Sequence, residues 1–241
     1  MANHYFQFKQ FTVQQDKCAM KVCTDACLFG AWVAHQTAIK SGRALDILDI
    51  GTGTGLLSLM LAQKTAGQID AIEINEPAAL QAGENIRQSA WADKVKVIHA
   101  SLQDFIPSKK YDLIISNPPF YQDDLRSADE DKNAAKHDST LKLDQLLPFM
   151  KANLSGAGVA AVLLPYHRLM YAEKEAKKAG LYIEEKLLVK QTPAHEYFRA
   201  GLLLSNDENA NPAIQSITIH TAERAYTPAF ELLLKDYYLR F

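Results

Sequence analysis

The strongest indication of the fold of this chain is the sequence Leu48-Asp49-Ile50-Gly51-Thr52-Gly53-Thr54-Gly55. A β-rich run over residues 44–50 ends inside it, and a helical run over residues 56–64 follows it. Alternate glycines at the end of a strand let the backbone turn tightly, and they let a polar ligand approach the main chain without interference from a Cβ atom. The stretch therefore predicts a ligand-binding loop between a strand and a helix.

The spacing of these glycines favours one class of cofactor over another. A dinucleotide site would read G-x-G-x-x-G or A, but Leu56 occupies the last position of that pattern, so S-adenosylmethionine is favoured over NAD. Glu73 closes the next predicted strand about 20 residues on, where a carboxylate can accept hydrogen bonds from both ribose hydroxyls. The alternative for Glu73 is a solvated carboxylate at a helix start. Ser101, after the third strand, is predicted to face the adenine ring, with Asp104 nearby.

Strands and helices alternate along most of the chain. β-rich runs cover residues 44–50, 68–74, 94–99, 111–116 and 159–164, and helical runs cover 56–64, 76–89, 141–153 and 169–179. This alternation predicts an α/β fold with right-handed crossovers and a doubly wound, mostly parallel sheet. Residues 182–190 and 197–205 are too close together for a helical crossover, so they are predicted to pair as an antiparallel hairpin. Residues 215–220 are a candidate edge strand, and 227–241 a last helix.

The first 35 residues read as an extension of this core. Residues 5–13 and 17–22 alternate apolar and polar positions around Gln14-Gln15-Asp16, which predicts a β-hairpin. Thr24 and Asp25 then resemble the cap of a short helix that runs to His35. The chain is therefore interpreted as one domain over residues 1–241, with an N-terminal extension over 1–35 and a Rossmann-like core over 36–241.

Bulk properties narrow the class of protein. A chain of 241 residues that is 48% hydrophobic can bury a full core. The N-terminus lacks the pattern of a secretory signal, and no apolar run approaches the roughly 18 residues of a membrane span, so we expect a cytoplasmic protein with no membrane partner. The net charge of −2 offers no overall positive field, although a local Lys/Arg patch would suffice to bind nucleic acid.

The cysteines Cys18, Cys23 and Cys27 lie in one short segment without a C-x-x-C pair. We interpret them as small buried hydrophobes in a reducing compartment, so that no metal is expected.

A second motif, Asn117-Pro118-Pro119-Phe120, directly follows the apolar run 111–116. Ligands of an open α/β sheet bind outside the carboxyl ends of its strands, and this fourth strand should lie beside the first. The prolines remove backbone donors, so the turn presents carbonyls and the Asn117 amide. Asn117 and Pro118 can then accept the N–H groups of a planar amine and aim its lone pair at a methyl donor, while Phe120 can stack on the acceptor base. The alternative is an ordinary turn with a buried Phe.

With both D-x-G-x-G-x-G and N-P-P-[YF] present, the chain resembles the class I S-adenosylmethionine-dependent amino-methyltransferases. Within them it is similar to the bacterial tRNA1(Val) (adenine-37) N6-methyltransferases over nearly the whole chain. The stretches that carry this resemblance are residues 8–11, 18–22, 24–25, 30–32, 49–57, 59–63, 84–86 and 111–121.

The resemblance implies a seven-stranded methyltransferase fold, S-adenosylmethionine as cofactor and methylation of N6 of the adenine beside the anticodon of a valine tRNA, whose anticodon stem-loop would be the partner. It implies that Lys21, Thr24 and Asp25 help to close over the cofactor. Arg199, with Phe120 and Tyr121, would face the substrate. By this resemblance Asn117 contacts both cofactor and substrate. The chain departs from the family pattern at Cys23, where glycine is expected, and at Phe120, where Tyr is commoner.

Other functions fit the same motifs. A protein N5-glutamine methyltransferase also holds a planar nitrogen, and an rRNA guanine-N2 methyltransferase is a further candidate. Outside enzymes, an inactive RNA- or nucleoside-binding module is the alternative. Residues 122–139 are either an RNA-gripping flap or a solvated loop. The sequence does not determine the oligomeric state, for which a monomer is the working expectation.

Overall fold

The computed structural model describes residues 3–39, 41–119 and 142–241. In these residues the strands are β1 (Tyr5–Gln7), β2 (Thr12–Gln14), β3 (Ile47–Ile50), β4 (Ile69–Glu73), β5 (Val95–His99), β6 (Tyr111–Ser116), β7 (Leu154–Pro165), β8 (Tyr182–Lys190), β9 (Tyr197–Ser205) and β10 (Ala213–Thr218). The α-helices are α1 (Thr24–Ala34), α2 (Leu56–Ala62), α3 (Glu76–Arg87), α4 (Leu143–Asn153), α5 (Leu169–Lys178) and α6 (Pro228–Leu234). A π-helical turn, His35–Ile39, continues α1, and a 3-10 turn, Tyr166–Arg168, precedes α5.

The central sheet has the strand order β10-β8-β9-β7-β6-β3-β4-β5. From β7 to β5 all neighbours are parallel, while β9 runs antiparallel to both β7 and β8. The predicted doubly wound, mostly parallel sheet with a C-terminal hairpin is confirmed. The predicted number of strands in this sheet, seven, is wrong, because β10 pairs in parallel with β8 as an eighth strand. Strand β10 corresponds to the candidate edge strand predicted over residues 215–220, but it begins and ends two residues earlier.

The core lies on both faces of this sheet. All four residues of β3 are buried. Its successive residues Ile47 and Leu48 belong to different hydrophobic clusters, because successive side chains of a strand point to opposite faces of the sheet. One cluster includes Trp32 of α1 and Leu59 of α2; the other includes Met150 of α4. Helices therefore cover both faces, and the strand ends of the carboxyl edge are left for a site.

The predicted N-terminal hairpin exists, but its turn lies elsewhere. Strands β1 and β2 pair antiparallel, and both fall within the run 5–13 and the residue after it. Phe8 and Phe11 close the turn, with a backbone hydrogen bond of 2.8 Å and stacked rings 4.5 Å apart. The apolar side chains of the run thus pack on each other and on the core instead of forming one long strand. Residues 17–22 form no strand.

Two helix predictions also need correction. Cys23, rather than Thr24 or Asp25, is at the N-cap of α1 and makes no side-chain capping hydrogen bond. The last helix is only α6, which Thr227 caps by accepting from the backbone N–H of Phe230 at 3.3 Å. Tyr237 lies beyond that helix, where it is buried and its hydroxyl donates to the carbonyl of Met60 at 3.1 Å. Packing of the aromatic chain end onto α2 therefore overrides helix continuation.

In the parts of the chain that the structure describes, no helix is both long enough and apolar enough to cross a membrane.

Candidate functional site

The glycine loop folds over the carboxyl end of β4. The backbone N–H groups of Gly51 and Thr52 both donate to the carbonyl of Ile72, at 2.9 and 3.0 Å. Gly51 and Gly53 have φ angles of 71° and 55°, which residues with a side chain rarely adopt. A Cβ atom at either position would meet nothing within 4 Å. The loop therefore leaves open space over its backbone, as a ligand-binding loop requires.

Asp49 lies at the base of this loop and is completely buried. Its Oδ2 accepts hydrogen bonds from the hydroxyls of Thr52 at 2.6 Å and Ser58 at 2.7 Å. Its Oδ1 is buried without a hydrogen-bond partner. Burial raises the pKa of Asp49 to about 6, against the hydroxyl hydrogen bonds, which lower it. A buried acceptor without a partner is costly, so Oδ1 is a position at which a ligand or water donor would be stabilised.

Glu73 ends β4 beside the glycine loop and is 8% exposed. Its Oε2 accepts from the backbone N–H of Gly53, and its Oε1 from that of Asn75, each at 2.9 Å. The carboxylate is therefore held in one orientation by the two loops around it. Each oxygen retains a second lone pair for a hydroxyl donor.

Asn117 follows β6 at the same edge of the sheet. Strand β6 pairs with β3 in a register that places Ser116 opposite Ile50, the residues directly before Asn117 and Gly51. The hydroxyl of Ser116 also donates to the carbonyl of Ile50 at 2.9 Å. The glycine loop and the Asn-Pro-Pro turn consequently begin at neighbouring strand ends, with Asn117 half-buried and Pro118 buried.

The N-terminal segment, residues 14–22, lies across α3 next to Glu73. The backbone N–H of Lys17 donates to the side-chain oxygen of Gln81 at 2.9 Å. The thiol of Cys18 has its pKa raised to about 11, first by burial and then by the negative charge of Glu73. The ammonium of Lys21 bonds to the carbonyl of Gln15 within the same segment. This segment therefore borders the carboxylate that is predicted to bind the cofactor.

Asp25 and Arg199 were predicted for different tasks, one near the cofactor and one near the substrate, but they contact each other. Arg199 Nε lies 2.6 Å from Asp25 Oδ2, which joins the first turn of α1 to β9. Arg199 pairs with Pro165, the last residue of β7, so it lies at the carboxyl edge of the sheet. Thr24 is the first residue of α1, directly before Asp25.

Ser101 and Asp104 form one polar unit after β5. The hydroxyl of Ser101 donates to Asp104 Oδ2 at 2.6 Å and accepts from the backbone N–H of Asp104 at 3.1 Å. Neighbouring Leu102 is buried in the same hydrophobic cluster as Ile72 and Ile50. Ser101 and Asp104, the two polar side chains considered for the contact with adenine, are therefore adjacent to each other.

Phe120, Tyr121 and the loop 122–139 lie outside the described residues, and their assigned roles stay predictions. The cysteines are placed: Cys18 and Cys27 are buried and Cys23 is half-buried, all with free thiols. Burial raises the pKa of each thiol, to about 12 for Cys23. Among the described residues, no group of three or more His, Cys, Asp or Glu side chains is arranged to hold a metal ion.

Sequence reasoning missed three side chains that shape this site. Thr52 and Ser58 orient Asp49, and Asn85 of α3 donates to the carbonyl of Thr54 in the glycine loop at 2.9 Å. Asn85 is 1% exposed. Asn85 could have been found from the sequence, because it is a polar residue on the predicted buried face of an amphipathic helix.

S-adenosylmethionine, which the sequence implies, fits the chemistry of these residues. Open space over Gly51 and Gly53, a carboxylate acceptor at Glu73 and a buried acceptor at Asp49 Oδ1 suit a ligand with hydroxyl and amine donors. Asn117, at the neighbouring strand end, can face such a ligand and an amine acceptor together.

Comparison with known proteins assigns this arrangement to methyltransferases. A family model described as methyltransferase small domain matches residues 34–136. Over their full length, curated relatives named tRNA1(Val) (adenine(37)-N6)-methyltransferase are similar to this chain. The relative from Dyadobacter fermentans is 41% identical over 99% of both chains, and that from Trichodesmium erythraeum is 40% identical over 100% of both.

Solved structures show the same fold at low identity. A predicted O-methyltransferase from Agrobacterium tumefaciens superposes with a TM-score of 0.66 at 15% identity, over 87% of this chain and 95% of that one. A ribosomal protein L11 methylase from Lactobacillus delbrueckii gives a TM-score of 0.51 at 20% identity, over 73% and 76%. The fold is that of class I methyltransferases.

Proposed function

Because this chain belongs to the family of tRNA1(Val) (adenine(37)-N6)-methyltransferases, we propose that it methylates N6 of adenine 37 in tRNA1(Val) with S-adenosylmethionine. The observation that carries the proposal is the pairing of Ile50 with Ser116, which brings the glycine loop and Asn117 to neighbouring strand ends. The anticodon stem-loop is the part of the tRNA that would contact the site, and a monomer would suffice.

The glycine loop and its acidic neighbours would hold the cofactor. When bound, S-adenosylmethionine supplies a methyl group that is activated by a sulfonium. Glu73, already fixed by two backbone N–H groups, would accept hydrogen bonds from the ribose hydroxyls. Asp49 Oδ1 would gain the hydrogen bond that it lacks. Ser101 and Asp104 would border the adenine ring.

The Asn-Pro-Pro turn would prepare the acceptor nitrogen. The amine of adenine is planar because its lone pair is delocalised into the ring. The side-chain oxygen of Asn117 and the carbonyl of Pro118 can each accept one of its N–H groups, which favours a pyramidal nitrogen whose lone pair faces the methyl donor. No strong general base is required, since the nitrogen becomes acidic only after it is methylated.

Residues of the N-terminal segment and β9 would complete the enclosure. Lys21 lies in the segment that borders Glu73, and Asp25 links α1 to Arg199 at the carboxyl edge. We propose that Phe120 and Tyr121, which directly follow the Asn-Pro-Pro turn in sequence, stack on the flipped base. Extruding a base costs a few kcal/mol, of which stacking would offset about 1–3 kcal/mol.

Methyl transfer to individual tRNAs tests the proposal. The purified protein is incubated with tritiated S-adenosylmethionine and tRNA1(Val) transcripts that carry adenine or guanine at position 37. We expect label in the adenine transcript only, recovered as N6-methyladenosine by mass spectrometry of nucleosides. In parallel reactions, label in guanine of ribosomal RNA or in glutamine of a protein substrate would instead support the alternative methyltransferases. Cofactor binding without any transfer would support a binding module.

A further inference from the structure

Beyond Asn117, the carboxyl edge of the sheet carries several aromatic and basic residues. This aromatic edge patch comes from the turn after β7 and from both ends of the β8–β9 connection. Its members are Tyr166, Arg168, Lys190, His195 and Tyr197.

Two tyrosines from different segments form the centre of the aromatic edge patch. The ring centroids of Tyr166 and Tyr197 are 5.2 Å apart with an angle of 44° between the ring planes. Lys190 Nζ lies 4.7 Å from the centroid of Tyr197, within the range of a cation–π contact. The hydroxyls of Tyr197 and Ser216 are 3.1 Å apart. Tyr166 nevertheless keeps 36% of its surface exposed, so its ring is held in place without being buried in the core.

The loop between β8 and β9 adds a third ring to the aromatic edge patch. Thr192 Oγ1 and His195 Nδ1 are 2.6 Å apart, and the backbone N–H of His195 donates to the carbonyl of Thr192 at 3.1 Å. This turn fixes an exposed imidazole at the same edge as Tyr197. Histidine rings, like those of tyrosine, can stack on bases.

The sequence segments that form the aromatic edge patch contain more basic than acidic residues. Residues 165–168 and 190–197 contain Arg168 and Lys190 but a single acid, Glu196, whereas the chain as a whole has a net charge of −2. Arg199 lies nearby, but its charge is balanced by Asp25. A local excess of cations beside exposed rings complements a strand of alternating bases and phosphates.

The aromatic edge patch lies beside the Asn-Pro-Pro turn. Ser116 of β6 pairs with Val162 of β7, and β7 ends at Pro165, directly before Tyr166. Strand β7, which leads into the patch, is the direct neighbour of β6, about 4.8 Å away, on the side opposite to the glycine loop.

We infer that the aromatic edge patch binds the single-stranded RNA that flanks the target adenine. Bases next to the target would stack on Tyr166, Tyr197 and His195, while Lys190 and Arg168 contact phosphates. Specific recognition of RNA loops generally uses unstacked bases on aromatic side chains, and this edge supplies such rings next to the proposed reaction site. The inference rests on the proposed function, because it assigns the contacts that hold that substrate.

Binding of an unmodified tRNA1(Val) transcript, measured with S-adenosylhomocysteine present, tests the inference. We expect Tyr166→Leu and Tyr197→Ala each to weaken tRNA binding by roughly tenfold, since base stacking is lost. Tyr166→Leu keeps an apolar side chain beside Tyr197 and removes the aromatic ring with its hydroxyl. Lys190→Ala should lower the slope of log affinity against log salt concentration by about 1. Affinity for S-adenosylhomocysteine should stay at the wild-type value in all three.

Matched controls are Tyr182→Ala, at the other end of β8, and Lys96→Ala, on the far edge strand β5. If the patch variants bind tRNA as the two controls do, the inference is wrong, and the same result would follow if a protein partner occupied the patch. If wild type binds tRNA in a patch-dependent way but transfers no methyl group, the inference stands and the proposed function fails.

Discussion

The side chain of Asn85 and the backbone of Gln14 are joined by two hydrogen bonds, each 2.9 Å long, in opposite directions. The amide of Asn85 also donates to the carbonyl of Thr54, again at 2.9 Å. One residue of α3 thereby connects the N-terminal segment with the glycine loop. The N-terminal segment and the glycine loop are far apart in sequence, and both border the proposed cofactor site.

Replacement of Asn85 by Ala should lower the stability of the protein and weaken the attachment of the N-terminal segment and the glycine loop to α3. It leaves the part-buried backbone N–H of Gln14 without its partner, which costs about 1–3 kcal/mol of unfolding free energy. We also expect weaker binding of S-adenosylmethionine, since the glycine loop loses its link to α3. Urea denaturation and calorimetric titration measure the two effects. Gln88→Ala, an exposed position at the end of the same helix, is the control; equal behaviour of the two variants would contradict this role.

Replacement of Asp49 by Asn should stabilise the protein without ligand at neutral pH. Burial raises the pKa of Asp49 to about 6 from its ordinary 3.8, so the folded state holds this proton more tightly than the unfolded chain does. Its contribution to stability is present below pH 4 and is lost as the pH rises through 6. At pH 7 the charged group costs on the order of 3 kcal/mol, and Asn avoids that cost.

The measurement for Asp49→Asn is unfolding free energy from pH 4 to pH 8. The advantage of the variant over wild type should grow between pH 4 and 6 and then level off, while cofactor affinity falls. Asp93→Asn, at an exposed position, is the matched control. A constant difference across the whole pH range would argue against a raised pKa.

Replacement of Asn117 by Ala should lower kcat far more than it weakens cofactor binding. Its proposed hydrogen bonds serve the transition state, and loss of one such contact typically costs roughly 100-fold in rate. Methylation of tRNA at saturating S-adenosylmethionine gives kcat, and calorimetry gives the affinity. Asn209→Ala, in an exposed loop, is the matched control. Wild-type kcat in the Asn117 variant would refute the assigned role.

Replacement of Glu73 by Ala should weaken cofactor binding by about 10- to 100-fold, because an acceptor of charge-assisted hydrogen bonds is lost. The variant also frees the N–H groups of Gly53 and Asn75. Glu73→Gln separates these effects, since its one oxygen can keep a single backbone contact, and it should bind with intermediate affinity. Calorimetry with S-adenosylhomocysteine measures the series. Unchanged affinity in both variants would overturn the ribose assignment.

Local patterns predicted the elements whose structure depends on local chemistry. Strands β6, β8 and β9 have the predicted bounds, because a continuous apolar run or a short connection leaves few alternatives. The hairpin turn moved to Phe8 and Phe11, and the last helix shortened to α6. Both differences arise from aromatic packing between segments distant in sequence, which periodicity alone does not reveal.

The two motifs, the class of fold and the kind of chemistry could be predicted from local residue types. Glycines permit the tight turn of a ligand loop, and prolines fix φ and lack N–H groups. Folding of the whole chain places Ile50 opposite Ser116, pairs Asp25 with Arg199 and joins Gln14 to Thr54 through Asn85. Such contacts depend on strand register and helix docking. Those are set by burial of the whole core rather than by any one stretch of residues.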